Sequence, residues 1–359
     1  MGFFRLRSGL VKYVMILVFI CFITPVAAVC DTDDPSVGEN GSSSGAYTVP
    51  SAIPKRVDRH LKLALYTQLG LRHDQIQWGI AGSLAGMSPN ILSELDWSRI
   101  VSYQLTLGGR AFVGRHLYLR GHFNYADIMS GEVRDSDYGE DNRMAEWSRS
   151  MSDTNTDQLW DGVAGAGYPL LRGHNRLQLI PMLGFSIHKQ NLRITNGRQT
   201  ISGTPPSGYN PPPSIGPLNS RLNSVYAARW VGWWLGCDVH YRLAASPGRE
   251  PPMAWGLSLA YHFQADYHAQ ADWNLRRDLS HPVSFEHDAE GRGVSIKGDW
   301  RIRCSERLNF NIDVNYTTWT TGNGSHTVYA ANGMIQSTRL NKVSWESYSV
   351  MLGLSYRFF

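Results

Sequence analysis

From about residue 60 to its end the chain alternates apolar and polar positions with a period of two. In 308–316, Leu308, Phe310, Ile312, Val314 and Tyr316 share one parity, and Asn309, Asn311, Asp313 and Asn315 share the other. In 294–303, Val294, Ile296, Gly298, Trp300 and Ile302 oppose Ser295, Lys297, Asp299, Arg301 and Arg303. An extended strand sends successive side chains to opposite faces, so the pattern predicts strands with one apolar and one polar face. The segments run to about twice the length of an ordinary globular strand. Short turns alternate with long polar stretches, which is the plan of a membrane barrel with short periplasmic turns and long outer loops.

About ten strands are expected, near 61–81, 94–111, 116–134, 157–169, 176–197, 223–243, 253–275, 289–304, 307–320 and 342–359. Tight turns fall near Gly114, Gly173, Gly248 and Ser305, and long loops near 82–93, 135–156, 198–222, 276–288 and 321–341. The fold class is therefore all-β, a single antiparallel transmembrane β-barrel. At about ten strands its interior would be largely filled by side chains. The last strand carries Tyr348, Val350, Leu352, Leu354, Tyr356 and Phe358 on one face. Its Tyr-x-Phe ending resembles the terminal strand recognised by barrel-assembly machinery, with Phe359 as one extra residue.

Composition agrees with this reading. Mean hydropathy is only −0.29, as expected when lipid-facing and lumen-facing residues cancel. Twelve Trp and 17 Tyr in 359 residues suit the aromatic girdles of a barrel. Residues 1–30 have the form of a secretion signal: Arg5, Arg7 and Lys12 precede a short apolar run from Val14 to Ile23, and small residues follow. Cys30 at the cleavage border offers a lipidation site, although Val29 before it fits a lipobox poorly. Residues 31–58 form a Gly, Ser and Pro-rich leader, and 59–359 the barrel. A net charge of +4 favours anionic partners such as lipopolysaccharide. There is no CxxC, no His-x-x-x-His pair, no serine elbow, and no basic-aromatic clustering of the kind that binds nucleic acid, so neither metal nor cofactor is expected.

Three segments resemble the omptins, the outer-membrane endopeptidases. They are Ser93-Glu-Leu-Asp-Trp97, the run from His116 through Asp135-Ser-Asp137-Tyr138, and the final Gly353-Leu-Ser-Tyr-Arg-Phe358. The resemblance implies a ten-stranded barrel that cuts extracellular peptides or proteins, with lipopolysaccharide as a possible activator. It implies an Asp pair on one wall of the mouth facing an Asp-x-His pair on the other, with a water activated between them. Histidine takes the proton, one carboxylate orients it, and the others hold the water. Asp135 and Asp137 stand in the first position. An acidic loop that is solvated, or that takes a divalent cation, is the other reading of them. For the second position, Asp266-Tyr-His268 has the right spacing, and simple alternation points both side chains into the lumen. Counting from the preceding turn, however, the pair would fall at Asp272-Trp-Asn274, where Asn cannot accept a proton. His281 and His287 are further imidazoles in the outer stretch. Beside the endopeptidase stand a non-catalytic barrel acting as adhesin or receptor, a small porin, and a lipid A-modifying barrel.

Overall fold

The computed structural model describes residues 61–170, 176–243 and 252–358. The signal, the leader, Cys30 and the expected turns at Gly173 and Gly248 lie outside the described residues. The strands are β1 (Leu61–Ile80), β2 (Ser93–Val113), β3 (Leu117–Glu140), β4 (Met144–Asp153), β5 (Gln158–Gly167), β6 (Leu177–Ser202), β7 (Gly216–Pro217), β8 (Ser224–Arg242), β9 (Met253–Asp272), β10 (Phe285–Arg303), β11 (Leu308–Thr321), β12 (Gly324–Tyr329) and β13 (Ile335–Arg357). They form one antiparallel sheet of 13 strands that closes on itself through β1 and β13. β4 and β5 are successive halves of one stave between β3 and β6, and β12 and β11 are halves of another between β10 and β13. With the two-residue β7 set aside, the ring has ten staves, as the alternation predicts.

The outer face carries a belt of exposed aliphatic side chains, among them Leu69, Leu105, Leu183, Leu235, Leu259 and Leu352. Tyr103, Tyr125, Tyr261 and Tyr348 are also exposed on it. An apolar band that circles a protein, with aromatic rings among it, is a lipid-facing surface. Several expected loops prove to be paired strand instead. Residues 135–140 and 144–153 form the β3–β4 hairpin, and 285–288, 324–329 and 335–341 are likewise extended. Above the membrane water meets the outer face, so a polar composition there does not mean unpaired backbone.

Two apolar clusters fill the lumen. The upper one packs Trp78, Trp97, Tyr226, Trp230, Trp319 and Trp345, each 3% exposed or less. The lower one packs Tyr118, Ile180, Met182 and Trp234. Trp234 fits because Gly165 and Gly184 lie under it: a Cβ on either would come within 2.6 and 2.2 Å of the indole. Between the clusters is a polar chamber of about 100 Å³ lined by Arg72, Arg120, His122, Asp161, His188 and Lys297. That volume is polar and large enough to hold water. Charges here are paired: Arg72 bridges Asp74 (2.8 Å) and Asp161 (2.7 Å), and Arg120 bridges Asp238 (2.9 Å). Refolded protein in planar bilayers is therefore expected to show no steady open state, and ohmic single-channel steps from the wild type would contradict this packing.

Candidate functional site at the outer mouth

The exposed apolar face of β3 ends at Met129. Asp135 and Asp137 lie about 20 and about 26 Å further along the strand at ~3.3 Å per residue, well outside the bilayer. They alternate on the strand with Ser136 and Tyr138, which are buried, so both carboxylates share one face. Asp137 pairs across the sheet with Ser93 on β2 and Ser148 on β4, and the two hydroxyls act to lower its carboxyl. Asp135 is held well above the usual carboxylate range by burial and then by the charge of Asp137; Arg276 opposes this. Burial likewise raises Asp137, against the two serines and Arg276.

Arg276 belongs to the loop between β9 and β10. Its Nε and Nη2 donate to Asp278 Oδ1 and Oδ2 at 2.9 and 2.7 Å, a two-point contact that fixes the guanidinium. The loop after β6 reaches both sides of this region. Gly203 N donates to Trp147 O on β4 at 2.7 Å, Tyr209 packs near Trp147 with ring centroids 6.1 Å apart, and Asn210 Nδ2 donates to Asp278 Oδ2 at 3.2 Å. Burial and the nearby Asp137 raise the Tyr209 phenol. The site thus consists of two adjacent carboxylates, one guanidinium that faces both, and a loop linking the two walls.

Asp266 and His268 are not brought to this site. The register jumps from Trp233–Gln264 to Trp234–His262, and from Gly291–Ala265 to Gly293–His262, so β9 carries one extra residue at Phe263–Gln264. Such a bulge reverses which face each later side chain takes. Ala265, Tyr267, Ala269 and Ala271 are therefore buried inside, at 2% exposure or less. Asp266 and His268 point outward, which corrects the inward orientation that simple alternation gives them. His268 Nδ1 lies 2.7 Å from Asp288 Oδ1 on the outer wall. Asp272 shares this outward parity and contacts His281, Oδ1 to Nδ1 2.6 Å. Asn274 Oδ1 accepts from Asn223 N (2.9 Å) and Ser224 Oγ (3.2 Å), a bracing role for the loop.

His287 is not in a loop but in β10, and it is fully buried. Arg276 as the partner of the Asp pair is not marked by spacing, because it reaches the pair through a loop. The described residues contain no group of three or more His, Cys, Asp or Glu placed to hold a metal ion. Cys237 and Cys304 are free thiols.

A sequence description of the family "Protochlamydia outer membrane protein" (Pom) matches residues 66–358. The chain belongs to the Pom family. This places it in the outer membrane, where the lipid belt agrees. No curated protein sequence matches it. Among solved structures it is similar to the outer membrane protease OmpT from Escherichia coli, with 14% identity, a TM-score of 0.66, and coverage of 83% of this chain and 97% of that one. It is also matched to OprG from Pseudomonas aeruginosa, with 10% identity, a TM-score of 0.31, and coverage of 83% and 97%. The OmpT likeness extends the omptin resemblance at the level of fold, while family membership belongs to Pom.

Proposed function

We propose that this Pom barrel is a binding protein whose outer mouth receives a cationic segment of an extracellular peptide or protein at Asp135 and Asp137 without cutting it. The observation that carries the reading is the pair of carboxylates on one strand face at the mouth, with the charge of Arg276 acting on both, where water activation would need an imidazole. Two neighbouring half-buried carboxylates repel each other, so one tends to keep a proton until a cation arrives. A guanidinium or ammonium from a ligand would complement them as Arg276 does. Lipid is the other partner: the exposed Arg229 on β8 pairs in register with Lys189 on β6, and the two would meet anionic headgroups such as those of lipopolysaccharide.

The test uses refolded protein with lipopolysaccharide and a labelled dibasic peptide. Binding by fluorescence polarisation is expected, without cleavage. Asp135→Asn with Asp137→Asn should weaken binding on the order of 10–100-fold, the loss of charge-assisted contacts worth ~1.5–3 kcal/mol. Because both carboxyls are raised and must ionise to hold the cation, affinity should fall as pH drops from 7 toward 5. Affinity unchanged in the double variant would refute the assignment.

One contact favours a second reading, endopeptidase activity. Asp272 and His281 form a carboxylate–imidazole dyad on the strand end where the omptin resemblance expects one. Cleavage by wild type that is abolished both by His281→Ala and by Asp135→Asn would establish that reading in place of the first.

A further inference from the structure

Above the membrane a chain of four buried titratable side chains crosses the upper barrel. Tyr267 on β9 meets the hydroxyl of Tyr226 on β8. Tyr226 Oη lies 2.9 Å from His287 Nδ1, and His287 Nε2 lies 2.8 Å from His326 Nδ1. Their exposures are 2, 0, 0 and 5% in that order. The two histidines sit directly opposite each other in the β10–β12 ladder. That ladder is only four pairs long, Phe285–Val328 to Asp288–Ser325, and one side-chain bond, Tyr329 Oη to Glu286 Oε2 at 2.7 Å, adds to it. The lipid-facing side of β10 ends lower, at Val294.

We propose that the His287–His326 pair is an acid-sensitive latch that holds the β12–β13 hairpin on β10. In the neutral state every bond in the chain can be made in one direction: Tyr267 donates to Tyr226, Tyr226 to His287, and His287 to His326. The reverse direction works equally well. One added proton can be shared between the rings, but it puts a charge where nothing opposite in sign faces it. The groups packed against the pair are Trp78 from β1, Tyr226 from β8 and Phe285 from β10. Tyr267 stands behind Tyr226. The nearest carboxylates are turned to the outer face, Glu286 toward Gln270 and Tyr329, and Asp288 toward His268. A second proton sets N–H against N–H, and the bond is lost.

The sign of the effect follows from burial. Burial lowers His326 from 6.5 to about 4, and burial with the neighbouring His326 and His268 charges lowers His287 well below its usual value. The closed seam is thus fully favoured above pH 6.5 and loses stability as pH falls toward 4, because the open form binds more protons. For His326 alone, a change from 6.5 to about 4 raises the opening equilibrium on the order of 100-fold between pH 7 and pH 4.

Hydrogen–deuterium exchange on refolded protein, corrected for intrinsic rates, reads this directly. Peptides covering 324–340 should lose protection at pH 4 in wild type, while peptides of β1 and β2 in the bilayer stay protected. His287→Phe with His326→Phe removes both partners and should keep the seam closed at both pH values. Should that variant fail to migrate as a folded barrel, His326→Gln, which hydrogen-bonds but does not titrate, should shift the midpoint of opening downward. Equal protection of 324–340 in wild type at pH 7 and pH 4 would overturn the proposal. So would opening of a folded variant at the wild-type midpoint.

Discussion

Arg72→Ala is expected to lower the unfolding free energy by about 3–5 kcal/mol. Arg72 is 3% exposed, and its guanidinium holds Asp74 through Nε and Nη2 and Asp161 through Nη1. The carboxylates are themselves built in: Asp74 Oδ1 accepts from Trp345 Nε1 at 2.8 Å, and Asp161 Oδ1 lies 2.9 Å from His188 Nδ1. Removing the cation leaves two buried carboxylates facing each other without compensation, and the penalty is their desolvation rather than the loss of one contact. The exposed pair Arg99–Glu132, with side-chain exposures of 75 and 44%, is the control. Solvent screens it, and Arg99→Ala should change stability by less than about 1 kcal/mol. Urea titration of both variants in detergent micelles, followed by the shift between folded and heat-denatured bands, measures the contrast. Arg72→Ala within 1 kcal/mol of wild type would mean that the chamber relaxes or hydrates freely.

The barrel is legible in the sequence because its cause is local. Lipid demands an apolar side chain at every second position, and Leu308 to Tyr316 or Tyr348 to Phe358 obey that demand whatever their neighbours do. Above the membrane the demand disappears. Residues 144–153 and 324–329 pair as strands while their composition resembles a loop, and alternation alone misplaces them. Asp135 and Asp137 were legible as a pair because one unbroken strand sets their spacing. Arg276, which faces them, was not, since a loop delivers it from the opposite wall. His287 and His326 lie 39 positions apart. Only the β10–β12 register makes them neighbours, and no motif records a register. Asp266 and His268 show the sharpest failure, since a two-residue parity argument holds only while the ladder has no extra residue.

That failure supplies its own test. Deleting Gln264 should leave the barrel able to assemble. The bulge at Phe263–Gln264 leaves two consecutive exposed side chains, and beyond it β9 presents Tyr267, Ala269 and Ala271 to the aromatic core. Without Gln264, plain alternation from His262 (inward) and Phe263 (outward) puts Ala265, Tyr267, Ala269 and Ala271 inward and Asp266 and His268 outward, the faces they already take. Tyr267 keeps Tyr226 and its ring contact with Trp230, whose centroids are 4.4 Å apart. No aspartate is brought against the tryptophans. Burying even one unpaired charge would cost several kcal/mol of the ~5–15 kcal/mol by which a domain is stable, and the deletion avoids that exchange: Trp234–His262 with Gly232–Ala265, and Gly293–His262 with Gly291–Ala265, become regular ladders in their present register. Gln264→Ala keeps the extra residue and, being exposed, should refold normally with a change of about 0.5 kcal/mol or less. Refolding yield and heat-modifiable migration of the two variants give the comparison. A deletion variant that fails to assemble while Gln264→Ala refolds would show that the bulge itself is required, through the bend and added twist it gives β9.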